Sequence, residues 1–298
     1  MFVYSGDLVV NSRSRFARTF VVTENTPLPK SPPSTSNGTL GLIQKQDTKM
    51  LGTIVIEKYK KTETSSILAA LERLILENSS DWSTAGIYCY WDYYKKQVLY
   101  IGLAVDLIER FKQHNGIVEC LPNSCKLDRI KEYFEINEYL GFTIILQSQL
   151  SQPFNNRQKR KYKGIYSDSE LKNILGKEGA EDIKNTEGVL IEAHKTKHGK
   201  RPSWNKIGGS AQAQRIAKDK NVKMLEYLIT NEQNKYTSLV SLKELSNSSL
   251  FNKYEAYLHS LRTSILPVEA MIKEHEKLGI ETYREMRSDN YFSTKLEI

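Results

Sequence analysis

The chain has 298 residues, of which 39% are hydrophobic, enough for one large domain or two ordinary ones and too many for a wholly disordered protein. Lys and Arg number 43 against 35 Asp and Glu, so the net charge of +8 is compatible with a polyanionic partner. No apolar run approaches a membrane span. The three cysteines (Cys89, Cys120, Cys125) lack zinc-finger spacing and read as ordinary thiols of a reducing, intracellular setting, taken as cytoplasmic.

In chain order, residues 1–23 show strand-like alternation in DLVV and RTFVV, and residues 23–39 (TENTPLPKSPPSTSNGT) read as a linker or long loop. GTIVIEKY from Gly52 predicts a strand. SSILAALERLILEN predicts a helix capped by Ser66, with Ile67, Leu68, Leu71, Leu74 and Ile75 on one face. AGIYCYW and QVLYIGL, rich in β-branched and aromatic residues, predict two strands joined by the polar DYYKK. DLIERFKQHN then predicts a helix on Leu107, Ile108 and Phe111. KLDRIKEYFEINEY predicts another helix and GFTIILQS another strand. Residues 155–163 form a basic run. SDSELKNILGKEG reads as a short helix with Ser169 or Asp168 near its cap. NTEGVLIEAHKTKHG reads as a helix opened by Thr186 and stopped by Gly199. From about Arg215 the pattern is helical, with one stripe on Leu225, Leu228 and Ile229 and another on Tyr254, Tyr257, Leu258 and Leu261. The expected division is a β-rich extension with linker and lead-in helix over 1–80, a core with a basic insert over 81–210, and a helical region over 211–298.

The core carries an ordered set of chemistry-bearing residues. Tyr88 closes Gly86-Ile87-Tyr88, and Tyr100 opens Tyr100-Ile101-Gly102. Arg110 follows Tyr100 by ten positions, and His114 shares its helical face one turn on. Glu192 lies in EGVLIEAH, and Asn205 closes RPSWN thirteen positions later. Taken singly, each suits an ordinary strand aromatic, a solvated helix face or an edge charge; the ordered set is what points to a site. Glu187 is the rival carboxylate, but a predicted place in the first turn of its helix gives it a sufficient capping role. His194 and His198 lack a third metal ligand and read as solvated or nucleic-acid-facing. The Gly208-Gly209 pair is too little for a phosphate cradle. A second Gly-Ile-Tyr at 164–166 has no Arg/His helix behind it.

Over residues 86–205 this set resembles the GIY-YIG nuclease superfamily, and the RPSWN ending with the long insert is most similar to its restriction-enzyme branch. Leu103, where some members carry a lysine or polar residue, and a slightly longer loop before Pro202 depart from the pattern. The resemblance implies an α+β fold: a small, mostly antiparallel central sheet flanked by helices, with a β-rich N-terminal extension and a helical C-terminal part. It implies a divalent-metal-dependent DNA endonuclease of restriction or phage-defence type, with a structure-specific or repair nuclease and a non-catalytic DNA-binding module as alternatives. The implied site is Tyr88, Tyr100, Arg110, His114, Glu192 and Asn205, with Mg²⁺ or Mn²⁺ on Glu192. In such a site Arg110 faces phosphate and Tyr88 or Tyr100 takes the proton of water. His114 bonds that tyrosine or relays its proton, and Asn205 fixes backbone or a tyrosine hydroxyl. Arg157, Lys159, Arg160, Lys161, Lys163, Lys195, Lys197, Lys200 and Arg201 are the expected DNA contacts. The expected partners are DNA and, through the C-terminal helices, a second copy or another subunit, with no membrane.

Overall fold

The computed structural model describes residues 52–263 except 78–81, 122–124, 149–151, 175–176, 220, 231–233 and 235, together with Ser288 and Leu296. The strands expected over 1–23 and the linker at 23–39 lie outside the described residues. Four strands, β1 (Gly52–Tyr59), β2 (Gly86–Asp92), β3 (Gln97–Ala104) and β4 (Leu140–Gln147), form one antiparallel sheet in the order β1-β4-β2-β3. The helices are α1 (Thr64–Glu72), α2 (Leu107–His114), α3 (Leu127–Ile136), α4 (Asn156–Lys161), α5 (Asp168–Ile174), α6 (Lys177–His198), α7 (Ala211–Ile216), α8 (Asn221–Glu226), α9 (Leu242–Asn247) and α10 (Ser249–Arg262). No helix among the described residues is long and apolar enough to cross a membrane.

The central strands β2 and β4 are buried along their whole length, as their continuous apolar runs require. The β2–β3 hairpin turns through residues 93–96, where Asp92 Oδ1 accepts from the Tyr94 and Lys95 N–H groups at 2.9 Å each. Tyr59, Tyr88, Tyr90, Phe142 and Ile144 on one sheet face pack with residues of α1, α2, α3, α9 and α10. Ile54, Ile56, Ile87, Trp91, Ile101 and Ile145 on the other pack with residues of α6 and α8.

The sheet crosses the expected division at residue 80. β1 pairs with β4 from Gly52 opposite Gln147 to Tyr59 opposite Leu140, so it completes the sheet rather than an N-terminal extension. The C-terminal helices join the same core: the Lys243 N–H donates to Glu57 Oε2 at 3.0 Å, and His259 Nδ1 lies 3.1 Å from Thr53 Oγ1. Cys120 and Cys125, expected as ordinary thiols, are joined as a disulfide just before α3.

Two helix starts also differ. α6 begins at Lys177, so Thr186 is interior and its hydroxyl donates back to the Asp182 carbonyl at 2.8 Å. α5 is capped by Ser167, whose Oγ accepts from the Glu170 N–H at 3.3 Å. The expected stop at Gly199 holds, with φ of 71°.

Candidate active site

Tyr88 and Gly102 face each other across the β2–β3 pair, and Tyr90 faces Tyr100. Side chains alternate along a strand, so Tyr88, Tyr90, Tyr100 and Gly102 share one face. Gly102 has no side chain because Tyr88 occupies its space. A Cβ there would lie 2.6 Å from Tyr88 Cζ and Oη and 2.7 Å from Tyr100 Cε1. The two tyrosine rings pack with centroids 5.7 Å apart.

Helix α2 brings Arg110 and His114 against this pair. It starts at Asp106, whose carboxylate accepts from the Glu109 N–H at 3.0 Å, and Leu107, Ile108 and Phe111 anchor its buried face. His114 is 1% exposed and lies between two partners. The Lys126 backbone N–H donates to its Nδ1 at 2.7 Å, and its Nε2 sits 2.7 Å from Tyr88 Oη. An amide can only donate, so Nδ1 is bare and the neutral ring carries its proton on Nε2. Burial, with Arg110 and Lys126 nearby, pushes the imidazole pKa down to about 3, so His114 stays neutral across the physiological range. Nε2 therefore donates to Tyr88 Oη. The chain of donors runs from the Lys126 N–H through His114 to Tyr88, and the half-buried Tyr100 ring packs beside its end.

Burial raises both phenols well clear of neutrality. For Tyr100, the neighbouring Tyr88 hydroxyl and the charge of Arg110 oppose that rise, and the Glu187 carboxylate adds to it. Arg110 makes no ion pair among the described residues. The Lys126 ammonium lies 4.8 Å from the Tyr100 ring centroid. Burial first, then Lys206, Arg110 and Arg129, lowers its own pKa. Lys206 and Arg129 were missed because each stands singly in the sequence.

β3 is an edge strand, and its outward backbone groups meet specific partners. The Leu99 carbonyl accepts from the Trp204 N–H at 2.9 Å. Asn205 takes both groups of Ile101: its Oδ1 accepts from the N–H at 2.9 Å, and its Nδ2 donates to the carbonyl at 2.7 Å. Glu187 lies close enough to the Leu103 N–H for that group to pull its carboxyl pKa down, against burial. Asn205 thus fixes backbone rather than a tyrosine hydroxyl.

This contact bears on the choice of carboxylate. Glu187 is in the interior of α6, not in its first turn, and a capping role no longer accounts for it. Burial holds its carboxyl above the usual range, against the pull of the Leu103 N–H, and its charge reaches Tyr100. Glu192 lies five residues on, about 140° around the helix axis. It pairs with Lys195 at 3.0 Å. Of the two, Glu187 is the one whose charge reaches Tyr100.

A cleft of about 1080 Å³ opens beside Arg110, lined also by Arg157, Lys159, Arg160 and Lys163. The basic run is therefore a capped helix and turn facing the site rather than a free loop. Asn155 accepts from the Arg157 and Gln158 N–H groups at its start. Two of these cations are already paired, Arg157 with Asp106 and Lys159 with Asp168. Lys161 is not among the cleft residues; its ammonium lies over the Tyr162 ring. Lys195, Lys197, Lys200 and Arg201 stand at the far end of α6 and in the loop after it, away from this cleft. Lys197 pairs with Glu226 at 2.8 Å, and Arg201 donates to the Lys206 carbonyl at 3.1 Å. His194 is buried, not solvated, and its Nδ1–H donates to the Lys200 carbonyl at 2.8 Å. Gly209 is explained by packing: a Cβ there would meet Gly188 Cα at 2.5 Å.

No group of three or more His, Cys, Asp or Glu residues that could hold a metal occurs among the described residues. Zinc, which needs such a set, does not fit. A hard divalent ion that keeps most of its waters and takes one carboxylate does fit the half-buried Glu187. Comparison with protein-family models, curated proteins and solved structures returned no match.

Proposed function

We propose that the chain is a divalent-metal-dependent DNA endonuclease of GIY-YIG type, in the restriction or phage-defence manner. The observation that carries this reading is the directed hydrogen bond from neutral His114 to Tyr88, with Tyr100 packed against that ring, beside an Arg110 with no carboxylate partner among the described residues. Such an arrangement suits moving a proton next to a bound phosphate.

In the proposed reaction a water attacks phosphorus and the bond to the 3′ oxygen breaks. Tyr100, as phenolate, takes the water's proton, and the leaving oxygen is protonated from solvent. An unperturbed tyrosine titrates near ~10 and is a poor base at neutral pH, so the phenolate needs help. The neighbouring Tyr88 hydroxyl and the Arg110 charge both favour it, while neutral His114 holds the Tyr88 hydroxyl in place. Tyr88 is buried and already bonded to His114, which leaves Tyr100 as the better base. Arg110 presents a forked, permanent charge to phosphate oxygens as negative charge builds. A Mg²⁺ or Mn²⁺ ion, when held by Glu187, supplies electrostatic stabilisation and a more acidic water. Asn205 and Trp204 hold β3, and with it Tyr100, in place.

The test is nicking of supercoiled plasmid with Mg²⁺. Wild type is expected to cut, and excess chelator or Arg110→Ala to stop it. No cutting at any metal concentration, with DNA binding retained in chelator, would refute catalysis and favour a binding module.

A further inference from the structure

The cleft beside Arg110 is larger than phosphate contacts require. Its volume of about 1080 Å³ is at the upper end of the ~300–1,000 Å³ typical of small-molecule sites. Five cations and three carboxylates line it, leaving two positive charges in excess. Once Arg157 has paired with Asp106 and Lys159 with Asp168, Arg110, Arg160 and Lys163 remain without a carboxylate partner among the described residues. The wall also carries two aromatic rings, Phe154 and Tyr166.

Tyr166 is 45% exposed on the turn between α4 and α5, and its neighbour Ile165 is 69% exposed. The turn passes through Gly164 at φ of 84°, a backbone shape that favours glycine. Its Tyr166 ring stands edge-on to Tyr162 with centroids 6.3 Å apart, which steadies it at the rim. The second Gly-Ile-Tyr of the sequence is thus a structural part of this wall. An intact duplex offers phosphates to such a cleft but keeps its base faces stacked inside. Cations with an exposed aromatic ring are the composition that holds unpaired nucleotides: the cations track the backbone and the ring stacks on a base.

We infer that this cleft seats an unpaired strand of the nucleic-acid substrate, leading away from the phosphate at Arg110, with one base stacked on Tyr166. The inference rests on the nuclease reading above and deepens it. The preferred substrate is DNA with a single-stranded tail, flap or flipped base next to the cut, rather than uniform duplex.

The experiment measures binding by Glu187→Gln protein, in Ca²⁺, to fluorescein-labelled blunt duplex and to the same duplex with a short single-stranded tail. A second tail carries 2-aminopurine, whose emission falls on stacking. The tailed DNA is expected to bind at least tenfold tighter than the blunt, with quenched 2-aminopurine. Tyr166→Ala is expected to reduce that advantage by about fivefold to a hundredfold and restore emission, whereas Tyr166→Phe keeps both. Lys163→Ala is expected to lower affinity for the tail and flatten its salt dependence. Equal affinity for blunt and tailed DNA, or quenching that survives Tyr166→Ala, would overturn the inference. Wild-type cutting of supercoiled plasmid and of the blunt and tailed duplexes in parallel separates the two readings. Cutting without tail preference sinks the cleft assignment alone, whereas absence of both cutting and DNA binding sinks the nuclease reading and the cleft with it.

Discussion

Replacing Glu187 by Gln isolates its charge. Gln keeps the volume and an oxygen toward the Leu103 N–H, so the local packing is retained. What disappears is the carboxylate whose charge reaches Tyr100. Removing one electrostatic group from a preorganised site typically costs ~10²–10³ in rate, about 3–4 kcal/mol. The parallel change Glu192→Gln removes only the pair with Lys195, whose side chains are 21% and 51% exposed respectively. Such an exposed pair contributes about 0–1 kcal/mol, so the change alters the rate by at most about fivefold. The assay is the initial rate of plasmid nicking across a Mg²⁺ titration, with thermal unfolding in parallel. The stability readout separates the roles further. Burial disfavours the ionised Glu187, so the neutral Gln is expected to leave the melting temperature unchanged or raised while activity falls. Loss of cutting in Glu192→Gln with full cutting in Glu187→Gln would refute the assignment.

Gly102→Ala should disable the site through packing alone. The added methyl meets two rigid rings at 2.6 and 2.7 Å, of which Tyr88 is fully buried, so Tyr88 and Tyr100 must separate. The expected outcome is a stability loss of about 1–3 kcal/mol in urea unfolding and near-complete loss of nicking; an active, equally stable variant would contradict the geometry. The fold should also weaken in acid. His114 and His259 are held neutral by burial down to pKa values of about 3 and about 4. In the unfolded chain each titrates near ~6.5, so between these limits the unfolded state binds more protons and stability falls as pH falls. With both engaged, the slope near pH 5 is about 2.7 kcal/mol per unit. His259→Gln should remove roughly half of it in unfolding curves measured from pH 7 to 4, and an unchanged slope would show that this histidine is not held neutral.

Much of the sheet was legible because its residues are locally consistent. GTIVIEKY, GIYCYW, QVLYIGL and GFTIILQ are strands in the structure as their composition predicts. Their assembly was not, because composition does not reveal pairing over distance. β1 joins β4 across more than eighty residues, so a boundary drawn at residue 80 cut through the sheet. Glu187 was set aside for a local reason. Residues 177–185, KEGAEDIKN, contain an internal glycine and few apolar residues, so they carry weak helix signals. Yet α6 starts at Lys177, with Ile183 buried against the sheet. Starting the helix at Thr186 placed Glu187 in a first turn, where helix polarity was enough to explain it. Lys126 was invisible for another reason: its link to His114 runs through a backbone N–H, which any residue at that position would supply.

The edge of β3 joins stability to the proposed chemistry. An unpaired edge invites pairing with another strand, and here alternate residues 99 and 101 have their outward groups met by Trp204 and Asn205. Tyr100 lies between these clamps, its side chain turned to the face that holds Tyr88 and His114. The residues that block the edge therefore also fix the height and tilt of the proposed base. This explains why widely separated parts of the chain must meet on one strand: the hairpin supplies the tyrosines and the RPSWN segment the lock.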